Sequence, residues 1–250
     1  MSNTDIEGSG IIFYARKHGE NSLVIKIISE SDDIVTGYAL GALSKNSFYK
    51  HQVGNYVHFC YCTNNENKLG TLKIELITSN SEIFFHKKES IALINLAIFS
   101  VNFFLIENNN INVVYKKLFN LIFSLKFGAE YIILYYIDFL FSIFEYLGIN
   151  FNPYVCVVTN TLNTYYISPK TGNAVTKAVG NKYANRLFII PKCFKEFIYE
   201  KNDILNALEI LHFFINKFIQ DNNLFYLKND FNFLNKTLIF AVKNSKSFDM

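Results

Sequence analysis

Five short runs rich in β-branched and aromatic residues decide the fold of this chain: IIFYA at 11–15, LVIKII at 23–28, IVTGYAL at 34–40, VGNYVHFCYC at 53–62 and LGTLKIELI at 69–77. Residues of these types favour strands. The second run alternates best, because Leu23, Ile25 and Ile27 share one face of a strand and Lys26 lies on the other. Five strands joined by polar turns, with a longer third connection, predict a small closed or nearly closed barrel of the OB type. Such barrels commonly bind single-stranded nucleic acid or a partner peptide.

The periodicity of the apolar residues changes after residue 81 from two to about 3.6, which indicates helices. We expect helices over 89–106, 113–126 and 129–147, and two more over 202–220 and 229–242. Residues 152–191 hold all three prolines and are expected to form extended pieces and turns. The prediction is an α+β protein with an N-terminal five-stranded OB-type barrel over 1–80. A mainly helical domain follows over 81–250, with an irregular insertion at 152–191.

Several sequence islands resemble one protein family. GENSLV at 19–24, GALSK at 41–45 and LGTL at 69–72 resemble the N-terminal barrel of the bacterial DNA repair protein RecO family. CVVT at 156–159 and YISPKTGNAV at 166–175 are similar to the central segment of that family. No single one of these segments is as specific as a set of four metal ligands. The resemblance therefore depends on the order in which the segments occur along most of the chain.

The resemblance implies a function in DNA repair and recombination. RecO-like proteins are non-enzymatic recombination mediators that bind single-stranded and double-stranded DNA. They engage RecR and the C-terminal tail of single-strand-binding protein, help to load the recombinase, and anneal complementary strands. By resemblance, we expect these partners here, no cofactor, and a bacterial cytoplasmic location associated with the nucleoid.

Many members of the resembled family carry two Cys-x-x-Cys pairs that hold zinc, and this chain departs from that pattern. Only Cys156 is present; Thr159 stands in place of its partner, and Val175 and Ala178 have the spacing of the second pair. Tetrahedral zinc sites need thiolate or imidazole ligands, which Thr, Val and Ala do not supply. We therefore predict a zinc-free insertion held by packing.

The charge of the barrel leaves an alternative function open. The whole chain has a formal net charge of +3, but residues 1–80 hold seven Lys and Arg against eight Asp and Glu, a net charge of −1. A broadly basic surface is the usual electrostatic sign of DNA binding. The alternative is an OB-fold protein-interaction module with little nucleic-acid binding, and a third possibility is an RNA-binding barrel. We attribute the large number of phenylalanines, 26 in all, to drift toward A/T-rich codons and not to an aromatic binding surface.

Matches to motifs of known enzyme classes are absent or accidental: S-x-x-K at 47–50 and K-T-G at 170–172 are attributed to chance, because Ser47 is expected in a connection between strands and not at the start of a helix. There is no phosphate-binding G-x-x-x-x-G-K-[ST] loop and no H-E-x-x-H pair. The five histidines have no ligand spacing, and we interpret each of them as a surface or strand residue. The sequence indicates a binding protein and not an enzyme.

The candidate DNA-binding residues are cations at strand ends and in connections. Arg16 and Lys17 end the first strand, Lys26 lies on the outer face of the second, and Lys68 lies in the fourth connection. The remaining candidates flank the long third connection: Lys45, Lys50 and His51. Tyr14, Phe48 and Tyr49 could stack on bases beside them. The competing interpretation for each residue alone is structural. The lysines would only solvate the loops, and the aromatic side chains would only fill the barrel.

A membrane-spanning interpretation applies to residues 131–149, which are almost continuously apolar. Asp138 and Glu145 lie on one helical face within this segment, and two carboxylates are costly inside a bilayer. We therefore expect no membrane association. The net charge of +4 outside the barrel, with aromatic residues at 211–218 beside Lys217 and Arg186, favours a groove for an acidic peptide tail.

Overall fold

The computed structural model describes residues 4–31, 33–63, 68–80, 88–105, 111–126, 129–197 and 200–245. Its first five strands are β1 (Thr4–His18), β2 (Ser22–Ser29), β3 (Ile34–Ala39), β4 (Tyr56–Thr63) and β5 (Thr71–Thr78). They form a closed barrel in the order β1-β2-β3-β5-β4, with β3 and β5 parallel and the other neighbours antiparallel. The predicted α+β fold with an N-terminal OB-type barrel is confirmed.

The barrel core comes from alternate residues of each strand. Leu23, Ile25 and Ile27 of β2 point inward as predicted, and they meet inward residues of the other strands: Ile12, Val35, Ala39, Val57, Phe59 and Leu72. Burial of these side chains stabilises the barrel by about 1.5–3 kcal/mol for each large residue. Ala42, Leu43 and Val53 of the third connection join the same cluster, so this connection closes part of the barrel.

A β-bulge in β1 changes which side chains face outward. Ile12 pairs with Ile27 and Tyr14 pairs with Lys26, so Phe13 is an extra residue in β1. The backbone of Ile12 also forms two hydrogen bonds with the third connection. It accepts one from the Gly54 amide (2.7 Å) and donates one to the Asn55 carbonyl (3.0 Å). Because a bulge reverses the alternation beyond it, Ile12 and Ala15 face the core while Tyr14 faces outward.

By its contacts the chain divides into two compact units, 1–126 and 127–250. The first unit contains the barrel and helices α1 (Lys88–Phe104) and α2 (Asn112–Phe123). Tyr115 of α2 donates a hydrogen bond to Glu30 Oε1 (3.2 Å), which also accepts from Tyr56 of β4. This shared carboxylate of Glu30 joins α2 to the barrel. The predicted domain boundary at residue 80 stays a prediction.

The second unit combines helices with a small sheet. Its elements are α3 (Ala129–Leu147), β6 (Asn152–Cys156), β7 (Tyr166–Ile167), β8 (Asn173–Val175), the one-turn helix α4 (Lys177–Gly180), β9 (Phe188–Ile189), α5 (Lys201–Asp221) and α6 (Phe225–Asn244). The four strands pair in the order β6-β8-β7-β9, so the predicted extended pieces of the insertion form a sheet. Within the described ranges, no helix is long and apolar enough to cross a membrane.

A buried polar chain links the three long helices of the second unit. His212 of α5 accepts a hydrogen bond from the Tyr136 hydroxyl of α3 at Nε2 (3.1 Å) and donates from Nδ1 to Asn235 of α6. Burial lowers the pKa of His212 to about 4, although the hydrogen bond to Asn235 acts to raise it. Our interpretation of every histidine as a surface or strand residue is wrong for His51, which is buried in a 3₁₀ helix, and for His212. A neutral imidazole with both nitrogens paired, as in His212, is accommodated in a core.

Candidate nucleic-acid interface

One end of the outer face of β1, β2 and β3 is open and carries polar and aromatic side chains. Ile11, Ile28 and Ile34 are buried at the other end of this face, and α1 contacts β1. The open end carries five side chains that are exposed or half-buried: Tyr14, Arg16, His18, Lys26 and Tyr38. We call this set the open barrel face. OB folds use the corresponding strands and the loops beside them to bind oligonucleotides.

Two cross-strand pairs organise the open barrel face. The Lys26 Nζ atom lies 5.8 Å from the centre of the Tyr14 ring. The rings of His18 and Tyr38 lie 4.8 Å apart at an angle of 40°. In the first pair, the ring can stack on a base while the ammonium group meets a phosphate. In the second pair, both rings can stack on bases.

Arg16 and Lys17, which were both predicted to bind DNA at the end of the first strand, lie on opposite faces of β1. Arg16 pairs with Val24 and shares the outer face with Tyr14, whereas Lys17 pairs with Leu23, whose side chain is in the barrel core. Successive residues of a strand point to opposite faces. The structure therefore brings Arg16 and Lys26 together on the open barrel face and does not bring Lys17 there.

The fourth connection reaches the edge of the open barrel face. The Tyr38 amide donates to the Gly70 carbonyl (2.9 Å), and the Gly70 amide donates to the Tyr61 hydroxyl (3.1 Å). Lys68, two residues before Gly70, is exposed. Its predicted position in a loop beside the strands agrees with this geometry.

The third connection holds the remaining predicted residues. Lys45 is exposed, two residues after Leu43, whose amide donates to the Asn21 carbonyl in the β1–β2 turn (3.3 Å). Lys50 lies in the 3₁₀ helix Phe48–His51, with its Nζ atom 5.9 Å from the ring centre of the exposed Tyr49. A buried Asn55 holds this helix by donating to the carbonyls of Tyr49 (2.8 Å) and Lys50 (3.3 Å).

His51 differs from the other candidates because it is buried, with 6% of its surface exposed. Its Nδ1 atom donates to the Ser47 carbonyl (2.8 Å). Burial lowers the pKa of His51, the Ser47 hydrogen bond acts to raise it, and Lys50 lowers it further. A buried neutral imidazole is a poor phosphate ligand, so we leave His51 out of the interface that we propose.

Sequence reasoning missed Tyr38 and left His18 out of the candidate set. The alternation in IVTGYA predicts that Tyr38 faces outward with Thr36, because Val35 and Ala39 face the core. That signal was available in the sequence. The contact between His18 and Tyr38 was not, because it depends on how β1, β2 and β3 are aligned.

Comparison with known proteins decides the family. A family model described as "Recombination protein O N terminal" matches residues 1–80. The chain is 32% identical over 220 residues to DNA repair protein RecO of Orientia tsutsugamushi strain Ikeda, covering 84% of this chain and 88% of that protein. This chain belongs to the DNA repair protein RecO family. RecO of Ehrlichia chaffeensis is 28% identical over 230 residues, covering 89% and 93% of the two chains, and RecO of Rickettsia canadensis is 26% identical over 226 residues, covering 88% and 91%.

Membership of the RecO family gives the chain a role in DNA repair and recombination. The barrel that carries the open barrel face coincides with the segment matched by the N-terminal family model. The resemblance to RecO inferred from the ordered sequence islands is therefore confirmed.

The insertion holds one cysteine, Cys156, at the expected zinc-ligand positions. Cys156 is buried, and the Thr159 amide donates to its Sγ atom (3.4 Å). Burial acts to raise the pKa of the Cys156 thiol, but hydrogen bonds from Thr159, Val158 and Thr176 outweigh it and bring the pKa to about 7. In the described part of the chain, no group of three or more His, Cys, Asp or Glu side chains could hold a metal ion. These residues do not fit zinc.

The second unit contains a groove of about 360 Å³. Apolar side chains and two lysines line it, and we define this tail groove by Leu147, Ile149, Lys170, Phe214, Lys217 and Phe218. Lys217 donates from Nζ to the Lys170 carbonyl (2.7 Å), while the side chain of Lys170 is exposed. Asp221 also lines the groove, and Arg186 does not.

Proposed function

We propose that this RecO-family protein is a non-enzymatic recombination mediator that binds DNA through the open barrel face. The observation that carries the proposal is the pairing of Tyr14 with Lys26 and of His18 with Tyr38, beside Arg16, on one exposed face of an OB barrel. Rings and cations on one surface can follow a strand without reading its sequence. A mediator needs that property, because the strand passes from one protein to another.

The proposed contacts are local, which reconciles DNA binding with the barrel's net charge of −1. Arg16 and Lys26 face the same way on neighbouring strands, and Lys68 lies in the segment that borders Tyr38. Glu7 of the barrel is engaged elsewhere, since its carboxylate pairs with His58 of β4 at 2.9 Å. Lys45 and Lys50 would extend the same surface along the third connection, for both single-stranded and double-stranded DNA.

Partner proteins form the second part of the proposal. We infer that the tail groove receives the acidic, aromatic C-terminal tail of single-strand-binding protein, because an apolar pocket and an exposed lysine match a ring and a carboxylate. Engagement of RecR, recombinase loading and strand annealing are inferred from the family. The location of the protein at the nucleoid belongs to the same proposal.

A salt titration of single-strand binding tests the DNA-binding part of the proposal. Affinity for a labelled oligonucleotide should fall steeply with salt concentration, because each phosphate contact releases counterions. Replacement of both Arg16 and Lys26 should weaken binding and flatten the salt dependence. No measurable binding at low salt would favour the alternative, an OB-fold protein-interaction module, which the barrel's net charge of −1 supports.

A further inference from the structure

The last helix of the second unit exposes aromatic rings on the side that faces away from the core. α6 contacts α5 and buries Leu227, Phe231, Leu238, Ala241 and Val242. Tyr226, Phe233 and Phe240, by contrast, leave 70%, 70% and 68% of their surface exposed. Large rings exposed to this degree on one element call for a physical explanation.

The three rings form a line along the helix. They are seven residues apart, so they share one face and succeed each other at intervals of about 10 Å. Enrichment in phenylalanine through codon drift would scatter exposed rings over the surface. Drift does not account for three rings on one face while the opposite face of the same helix is buried.

The exposed residues that lie beside the rings on this face are polar or charged. The positions three residues after each ring are Asn229, Lys236 and Lys243, all of them exposed. A partner helix needs apolar residues at these positions as well, because a helix-packing seam uses both positions of each heptad. The face of α6 therefore lacks a continuous apolar seam, and each ring stands among polar side chains.

The charges on this face favour an anionic partner. Lys236 and Lys243 are accompanied by one exposed acid, Asp230. Contact between two copies of this face would bring four lysines together with two aspartates, which is electrostatically unfavourable. A single strand of nucleic acid offers the complementary chemistry, since its bases stack on isolated rings and its phosphates meet the cations between them.

We propose that α6 carries a second binding surface for single-stranded nucleic acid, formed by Tyr226, Phe233, Lys236, Phe240 and Lys243. We call this set the aromatic–lysine stripe. It belongs to a different unit from the barrel and goes beyond the proposed function, because it does not require the open barrel face. Two strand-binding surfaces in one chain would allow it to hold two strands.

Fluorescence anisotropy of a labelled oligothymidylate with full-length variants tests this proposal. Phe233→Ser with Phe240→Ser should raise Kd about fivefold or more. Lys236→Gln with Lys243→Gln should lower the salt slope by about 1.4, because each phosphate contact on a single strand contributes about 0.7. Asp230→Lys should tighten binding. Tyr183→Ser is the matched control, because it removes an exposed ring of the same unit that lies outside the stripe.

Photocrosslinking with iodouracil oligonucleotides should label a peptide that contains Phe233 or Phe240. An unchanged Kd in the ring variant, with circular dichroism showing it folded, would overturn the proposal. A change from dimer to monomer in sedimentation, without a change in Kd, would also overturn it and identify a second copy as the partner. Parallel measurements on Arg16→Ala with Lys26→Gln separate failure of the stripe from failure of the barrel.

Discussion

The ammonium group of Lys26 lies 5.8 Å from the centre of the Tyr14 ring, across the ladder between β1 and β2. Tyr14 reaches this position because the bulge at Phe13 turns it out of the barrel. A cation held over a ring at a half-exposed site contributes only about 0.5–1 kcal/mol to stability. The pair is therefore more important for what it presents at the surface than for holding the barrel together.

Replacing Lys26 with Gln should weaken single-strand DNA binding and leave the fold intact. One phosphate contact is lost, so the slope of log K against log salt should decrease by about one. Anisotropy titrations at several salt concentrations measure this slope. An unchanged slope and affinity would remove Lys26 from the interface.

Arg16 and Lys17 should behave differently although they are adjacent and carry the same charge. Arg16→Ala should weaken binding, because Arg16 shares the outer face with Tyr14, while Lys17→Ala should have a small effect. Both substitutions are at exposed positions, so the free energy of unfolding should change by under about 0.5 kcal/mol. Lys17→Ala is the matched control for loss of one positive charge, and equal losses in the two variants would contradict the assignment.

The purified protein should contain no stoichiometric zinc and should keep its fold in a chelator. Cys156 has Thr159, Val175 and Ala178 where the family's zinc-binding members have ligands, and its Sγ atom accepts a hydrogen bond from the Thr159 amide. Elemental analysis measures the zinc content, and thermal melts with and without chelator measure the fold. One zinc per chain would refute the prediction.

Stability should fall between about pH 6.5 and pH 4 because of His212. The folded-state pKa of about 4 lies below the unfolded value of 6.5, so this contribution is present above pH 6.5 and is lost as the pH falls through that window. A shift of this size corresponds to about 3 kcal/mol. Urea unfolding at several pH values measures it, and His212→Gln, which cannot titrate, should show a flatter dependence. Identical pH dependence in the two proteins would exclude His212 as the cause.

Charge reversal at the tail groove should abolish binding of the tail peptide of single-strand-binding protein. Lys170→Glu places a like charge beside the carboxylates of the peptide, in a groove lined by Phe214 and Phe218. Arg186→Glu is the matched control, because Arg186 is a cation of the same unit that does not line the groove. Anisotropy with a labelled peptide compares them, and an equal or larger loss from Arg186→Glu would refute the location of the groove.

Local patterns in the sequence are sufficient to locate most of the helices and strands, to recognise the family and to show which metal-ligand positions lack a ligand. Strand and helix periodicities are local properties, so β2 was predicted over 23–28 and found at Ser22–Ser29, and α3 was predicted and found over the same residues, Ala129–Leu147. The absence of cysteine at 159, 175 and 178 is likewise a property of the sequence. These features need no knowledge of which strand meets which.

Which side chains share a surface follows from contacts between distant parts of the chain. The extra residue at Phe13 reverses the alternation of β1. The backbone of the preceding Ile12 accepts a hydrogen bond from the Gly54 amide and donates one to the Asn55 carbonyl, more than forty residues away. Burial of His51 and His212 likewise depends on distant partners such as Asn235. Local periodicity gives the face of each strand or helix. Register and burial, however, are set by contacts between residues far apart in the sequence. These contacts place Arg16, and not Lys17, on the open barrel face.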